Sequence, residues 1–343
     1  MSISVNIKKR LGDFLLNVRF DAENETLALL GASGCGKSVT LQCIAGLLTP
    51  DEGRIVIDGV TLFDAARRIN LPPQKRQVGL LFQSYALFPN MTVAQNIAAG
   101  LHCRKIDRQA HTQALIASFH LAGLEHHYPT QLSGGQQQRT ALARMLAAEP
   151  KLVMLDEPFS ALDEHLRWQL EQELVATLER FGGTAIYVSH NREEVRRICR
   201  KICLLDEGHS EPVVSVAELF QHPQTRSAAL MAGCKNFSRL ALHHPQQAAA
   251  LDWGCILDFS CDLPPDVQYV AVHSHNLALA NDKPMMQGRI LQIAQSAFST
   301  ALTVQLHNAA LLHMELPLEQ TVGLGIGAPL GISIAPQKLL LLR

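Results

Sequence analysis

The sequence predicts two parts: an α/β domain on a parallel core sheet over residues 1–231, then a small β-barrel-like domain over 232–343. Three observations carry this. The runs "TLALLG", "VGLLFQ", "KLVMLDEP", "TAIYVSH" and "KICLLDEG" are continuously apolar, as strands covered on both faces must be. Helical patterns separate them: Leu142, Met145 and Leu146 recur at helical spacing within Gln136–Ala148, and so do Leu166, Leu170, Leu174 and Leu178. After Met231 the chain becomes polar and broken, then runs as short apolar stretches between turn residues.

The first core run, "TLALL", leads into Gly31, Ala32, Ser33, Gly34, Cys35, Gly36, Lys37 and Ser38, with Val39 next. This fits G-x-x-x-x-G-K-[ST] between a strand and a helix. The glycines let the backbone curl so that its N–H groups face phosphates. Lys37 is expected to reach β- and γ-phosphates, and the Ser38 hydroxyl to bind Mg²⁺. "VGLLF" ends at Gln83, a neutral donor and acceptor suited to a water or Mg²⁺. "KLVML" ends at Asp156 and Glu157: the first is placed to hold Mg²⁺ directly or through water, the second to act as general base on the attacking water. "AIYV" ends at Ser189 and His190, where His190 is expected to bond a γ-phosphate and hold that water. Open parallel sheets bind ligands at the carboxyl edge of their strands, and four strand ends aim polar groups there.

A second helix start, "QLSGGQQQR" (Gln131–Arg139), also has the form of an anion site. It lies far along the chain from the first, so the two helix starts are not expected to converge on one triphosphate within one domain.

Composition narrows the class. The 343 residues are 47% hydrophobic and 18% charged, with a formal net charge of -1. That balance is globular, and it offers nucleic acid no basic field. No apolar run is long enough to cross a bilayer, and "MSISVNIKKRLGDF" has no apolar core of a secretory signal, so the protein is expected in the cytoplasm. The eight Cys form no CxxC pair and no zinc spacing; reduced, mostly buried thiols are expected. The 15 His are scattered.

With these motifs the chain resembles the ATP-binding subunits of ABC transporters. "GASGCGKS" stands as the Walker A, "VGLLFQ" as the Q-loop, "LSGGQQQR" as the signature, "KLVMLDEP" as the Walker B, "SALD" as the D-loop and "YVSHN" as the switch histidine. The resemblance covers about residues 1–230 and implies a P-loop cassette with a helical subdomain at about 84–150. It implies ATP and Mg²⁺ as cofactors, and two cassettes docked head to tail as a homodimer. Ser133, Gly134, Gly135 and Gln136 of one would then cover the nucleotide on the P-loop of the other, with Asp163 of the D-loop at the same seam. An aromatic is expected to stack on adenine upstream of the P-loop. Phe14, Leu11 in its place, or no stack at all remain open. Integral membrane permease subunits are implied as partners, with an external solute-binding protein acting indirectly and the ATPase on the cytoplasmic face. Tyr85, Leu87 and Phe88, in a cluster with Pro89 and Met91, are expected near the permease contact.

The closest resemblance within the family is to molybdate-importer ATPases, with sulfate, ferric iron or polyamine cargo as alternatives and a soluble non-transport ABC ATPase as a distant one. The C-terminal part resembles the transport-associated β-domain, which implies either cargo sensing or bracing of the dimer. Ser296, Ser299, Thr300 and Lys338 are oxyanion candidates by residue type. His273 or a neighbour stands where the family often has Arg.

Overall fold

The computed structural model describes residues 1–102, 105–159, 164–280 and 282–343, and the side chains of these except 105, 106 and 164–166. Two compact units emerge, Met1–Val216 and Ala217–Arg343. The composition shift at 231/232 thus falls inside the second unit. The reason is packing. After α7 (Val216–Gln221), the helix α8 (Arg226–Met231) buries Ala229, which clusters with Cys234 and with Ala271 and Leu342 of the C-terminal sheet.

In the first unit the five continuous apolar runs are the parallel core strands Thr26–Leu30, Val78–Leu81, Leu152–Asp156, Thr184–Ser189 and Lys201–Asp206. Their order across the sheet is 201–206, 26–30, 184–189, 152–156, 78–81. Leu27, Leu29, Met154, Ile186, Val188 and Cys203 of these strands are almost wholly buried in one core. The register brings Leu30 beside Ser189, Asp156 beside Val188 and Leu81 beside Leu155, so four carboxyl ends finish nearly level.

The helices of this unit are α1 (Lys37–Ala45), α2 (Val93–Ala99), α3 (Lys105–Ser118), α4 (Gly134–Ala147), α5 (Glu164–Phe181) and α6 (Arg192–Ile198). The α2, α3 and α4 helices pack on one another, and α4 also meets the Val78–Leu81 strand.

The sheet extends beyond the expected parallel core. Ser2–Leu11, Phe14–Glu23, Glu52–Ile57 and Val60–Asp64 add an antiparallel run on one side. Its signal was present in Ser2–Leu11, where Ile3, Val5 and Ile7 alternate with polar residues and are buried.

The second unit holds two five-stranded antiparallel sheets. In one, the edge strands Leu277–Leu279 and Leu311–Pro317 approach each other, so the sheet curls into a nearly closed barrel. The segment read as polar and broken contains the strand Asn236–His244. Its buried Asn236 ties the sheets: Nδ2 donates to the carbonyls of Val272 and His313, at 3.3 and 2.9 Å, and Oδ1 accepts from His313 N at 2.7 Å. Most described cysteines are buried, and burial pushes the Cys43 thiol up to about 11, away from reactivity. No helix among the described residues is long and apolar enough to cross a membrane.

Candidate nucleotide site

The loop after Thr26–Leu30 is shaped by close approach. A Cβ on Gly31 would lie 2.2 Å from the Leu205 carbonyl oxygen, and one on Gly36 would lie 2.4 Å from Leu16 Cδ1. Gly36 also has φ 106° and serves as N-cap of α1 without any side-chain cap. The first N–H groups of α1 therefore have no side chain to satisfy them, which is the condition for anion binding at a helix N-terminus. Lys37 is buried, and its ammonium donates to the Gly31 and Ala32 carbonyls at 2.8 and 2.9 Å. Ala32, Ser33 and Gly34 are exposed, Cys35 is buried and Val39 half-buried.

Ser38 Oγ donates to Asp156 Oδ1 across 3.2 Å. Burial holds the Asp156 carboxyl above the ordinary carboxylate range, and Glu157 adds to this. The Ser38 bond and Lys37 oppose it. Glu157 has a left-handed backbone, φ 45°, and its N–H donates to Val188 O at 3.0 Å. This turn brings the Glu157 carboxylate to His190, with Nδ1 and Oε1 3.0 Å apart. Gln83 is exposed at the end of the adjacent Val78–Leu81 strand.

The oxygen donors fit a hard cation. Among the described residues no three of His, Cys, Asp and Glu cluster as a metal cage. Mg²⁺ held together with nucleotide phosphates needs no such cage, only one or two protein oxygens. Ser38 Oγ and Asp156 Oδ1 supply two, and a dication would offset the desolvation of Asp156.

Phe14 is half-buried, with its ring edge 3.2 Å from where a Gly36 Cβ would stand; Leu11 is exposed at the hairpin end. Phe14 thus leans on the phosphate loop and also packs on the core.

The second helix start differs from the first. Ser133 is the N-cap of α4 in a closed capping box: Gln136 N donates to Ser133 Oγ at 3.3 Å, and Ser133 N donates to Gln136 Oε1 at 2.9 Å. The box uses two N–H groups. What it leaves for an anion is the Ser133 hydroxyl proton and the N–H groups of Gly134 and Gly135. Among the described residues, no hydrogen bond links residues 133–136 to 31–39. Asp163 lies outside the described residues.

Three supporting networks were not anticipated from the sequence. Behind His190, the buried Glu194 accepts from Tyr187 Oη and Ser189 Oγ at 2.9 and 2.8 Å and from Asn191 Nδ2 at 3.2 Å. Asn191 in turn caps α6, so the N-x-x-E spacing carried a readable signal. Arg76, 1% exposed, donates from Nε to Leu71 O, from Nη1 to Cys43 O and Ile44 O, and from Nη2 to Asn70 Oδ1, all at 2.7–2.8 Å. It thereby satisfies two carbonyls at the C-terminal end of α1. Finally, Asn96 Nδ2 donates to the carbonyls of Phe88, Met91 and Thr92, and Arg144 Nη2 donates to Tyr85 O at 3.1 Å.

That last network corrects part of the expected contact surface. Tyr85 is 6% exposed, and its phenol donates to Pro158 O at 3.2 Å, so it ties the Gln83 loop to the segment after Glu157. Phe88, Pro89 and Met91 are exposed, Leu87 is half-buried, and the Arg144 guanidinium lies 4.9 Å from the Phe88 ring centre. In the second unit the oxyanion candidates are largely engaged. Ser299 Oγ donates to Glu315 Oε1 at 2.8 Å, Thr300 and Thr321 hydroxyls pair at 2.9 Å, and Ser296 Oγ bonds Ser299. Lys338 is exposed in a separate turn. His273 stacks on His275, ring centres 5.3 Å apart.

An uncapped P-loop helix, a serine–aspartate pair and a glutamate–histidine pair on adjoining strand ends define a P-loop nucleotide-binding cassette. The family model for ABC transporters matches residues 15–160. The sulfate/thiosulfate import ATP-binding protein CysA 2 of Chromobacterium violaceum is 42% identical over 71% of this chain and 64% of its own length. The putrescine transport ATP-binding protein PotG of Escherichia coli is 35% identical over 86% of this chain and 80% of its own. The spermidine/putrescine import ATP-binding protein PotA of Pseudomonas fluorescens is 35% identical over 98% and 97%. A dimeric ATP-binding cassette solved in a post-hydrolysis state with ADP and Pi superposes with TM-score 0.53 at 29% identity, covering 63% of this chain and 99% of that one. The chain belongs to the ABC transporter ATP-binding family, in its importer branch.

Proposed function

We propose that the protein hydrolyses ATP as a dimer to drive a membrane importer from the cytoplasmic face. The observation that carries this is the level row of strand ends bearing Lys37–Ser38, Asp156–Glu157 and His190, with Ser38 bonded to Asp156 and Glu157 to His190. In this reading the α1 N–H groups and Lys37 hold the phosphates, and Lys37 leaves its loop carbonyls to do so. Ser38, Asp156 and Gln83 would hold Mg²⁺, which would supply neutralisation of phosphate charge. Glu157 takes the proton of the attacking water, and His190 orients Glu157 and the γ-phosphate. Phe14 supports the adenine side of the loop.

The nucleotide is sandwiched between two copies. The capping box leaves Ser133, Gly134 and Gly135 three donors that make no bond to their own domain's P-loop, which suits the γ-phosphate of a partner cassette. Gln136 is the strut that closes the box, and Asp163 belongs to the same seam. Mixing a Lys37→Ala chain with a Ser133→Arg chain tests this. Each alone is expected to be inactive. The mixture is expected to recover up to about a quarter of normal turnover, since about half the dimers are mixed and one of their two sites is intact. No recovery despite confirmed mixed dimers would mean that each chain builds its own site.

Permease subunits are the proposed partners, meeting the exposed Phe88, Pro89 and Met91 with Leu87 at the margin. For cargo we favour a tetrahedral oxyanion. The sequence resembles molybdate-importer ATPases, and several relatives are named for sulfate/thiosulfate import. Polyamine import is the second reading, favoured by the PotA relative that aligns end to end. Cells lacking this chain are expected to lose uptake of labelled sulfate or molybdate and keep spermidine uptake. The reverse result moves the cargo to polyamines. The C-terminal unit is proposed as a brace, because Ser299 and Thr300 already bond Glu315 and Thr321.

A further inference from the structure

The His190 side chain is 59% exposed, and among the described residues its ring bonds only Glu157, with Nδ1 and Oε1 3.0 Å apart. A carboxylate only accepts, so Nδ1 carries a proton there and Nε2 is left free for a phosphate. The aim of so exposed a ring depends on how the backbone on either side of it is held. One buried side chain holds both neighbours. Ser189 Oγ donates to Glu194 Oε2 at 2.8 Å, and Asn191 Nδ2 donates to Glu194 Oε1 at 3.2 Å. Asn191 N also donates to Ser189 Oγ at 2.9 Å, so the two flanks of His190 are bonded to each other as well.

Glu194 is itself fixed from two further directions. Tyr187, wholly buried on the Thr184–Ser189 strand, donates from Oη to Glu194 Oε2 at 2.9 Å. Burial, and after it the Glu194 charge, pushes that phenol well above its ordinary value, so it stays a donor. From α5, Arg167 Nη1 lies 3.8 Å from Glu194 Oε1. A second ion pair runs the other way: Arg197 of α6 donates from Nε and Nη2 to the two oxygens of the buried Glu171 on α5, at 2.6 and 3.0 Å. The start of α6 is thereby stitched to α5. Four donors converge on the two Glu194 oxygens. An ionised carboxylate has about four acceptor sites and no donor, which no neutral side chain matches. Taking a carboxylate out of water is costly, and apolar packing would hold α6 to the sheet without that cost. A buried glutamate here therefore points to a need for these particular partners.

We propose that Glu194 is the positioning residue of His190: it locks Ser189 and Asn191 against the strand and α5, so that the ring between them meets Glu157. Glu194 acts through His190 and touches no reacting group itself. The effect on ATP turnover rests on the function proposed above; the placement of the ring does not.

The test reads the ring directly, by two-bond ¹H–¹⁵N spectra of the full chain labelled at histidine, without nucleotide. The His190 signals are assigned by their loss in His190→Ala. In the unaltered chain Nδ1 is expected to be protonated. In Glu157→Ala, which removes the acceptor, the proton is expected mainly on Nε2. Glu194→Gln keeps the size of the side chain but puts an NH₂ group where an acceptor stood, so two of the four donors lose their acceptor. It is expected to move the His190 signals toward the Glu157→Ala pattern. It should also lower kcat for ATP at least about tenfold and change KM by less than about threefold. Asn191→Ser removes the amide donor to Glu194 but keeps a side chain that caps α6. It is expected to move the signals in the same direction by a smaller amount, with the melting temperature little changed. His190 signals unchanged in both variants overturn the proposal. So does a Glu194→Gln spectrum in which the other histidines move as far, because that is general loosening. Shifted His190 signals with undiminished turnover support the placement and count instead against a part for His190 in hydrolysis.

Discussion

Glu157→Gln is expected to lower ATP turnover by at least about 10²-fold while changing ATP affinity by less than about threefold. The substitution keeps the shape of the side chain and a hydrogen-bonding partner for His190, 3.0 Å away. It removes only the ability to take a proton. Binding rests on other groups: the uncapped N-terminus of α1, Lys37, and the Ser38–Asp156 pair. The variant is therefore expected to accumulate as an ATP-bound dimer, detectable by size-exclusion chromatography with light scattering. Turnover within about threefold of normal would remove Glu157 as the base and leave the water to another group. Glu157 is also placed by a backbone that costs energy: a left-handed non-glycine residue is disfavoured by about 1–3 kcal/mol. That cost is offset by the bond from its N–H to Val188 and by Tyr85 holding the next carbonyl, Pro158.

Arg76→Met is expected to destabilise the N-terminal unit by about 3 kcal/mol or more, because it takes the guanidinium from the carbonyls of Leu71, Cys43 and Ile44, of which Cys43 keeps a long bond from Gly46 N at 3.3 Å. The guanidinium also carries positive charge to the C-terminal end of α1, where the helix dipole favours it. Gly46 has room for this arrangement only without a side chain, since a Cβ there would lie 2.5 Å from Arg76 Nε. The melting midpoint should fall by about 6–12 °C. Arg76→Lys is the companion variant. It keeps the charge but not the planar fork, and it should recover only a small part of the loss. A fall below about 2 °C for Arg76→Met would mean that water or relaxation replaces the four bonds. The result bears on function because α1 carries the phosphate loop at its other end.

The sequence by itself determined the strand edge on which the proposed nucleotide chemistry rests. Each residue proposed for phosphate or metal follows a continuous apolar run, and such runs become parallel strands buried on both faces. Local order was thus enough to name Lys37, Ser38, Gln83, Asp156, Glu157 and His190 as one edge. The barrel-like second unit was legible for the same reason, through short apolar runs between turns. Other features are matters of long-range packing. The Tyr85 phenol ties the loop after Gln83 to Pro158, next to Glu157; the sequence reading expected Tyr85 near the permease contact, and the fold buried it. Arg76 acts on carbonyls more than 30 residues away, and no local pattern marks it. The second helix start, so like the first in its Ser and Gly content, proved to be capped by its own side chains, whereas the first is not. Only tertiary structure decided these points. Side-chain hydrogen bonds between distant segments depend on which surfaces meet, and hydrophobic periodicity records burial but not partners.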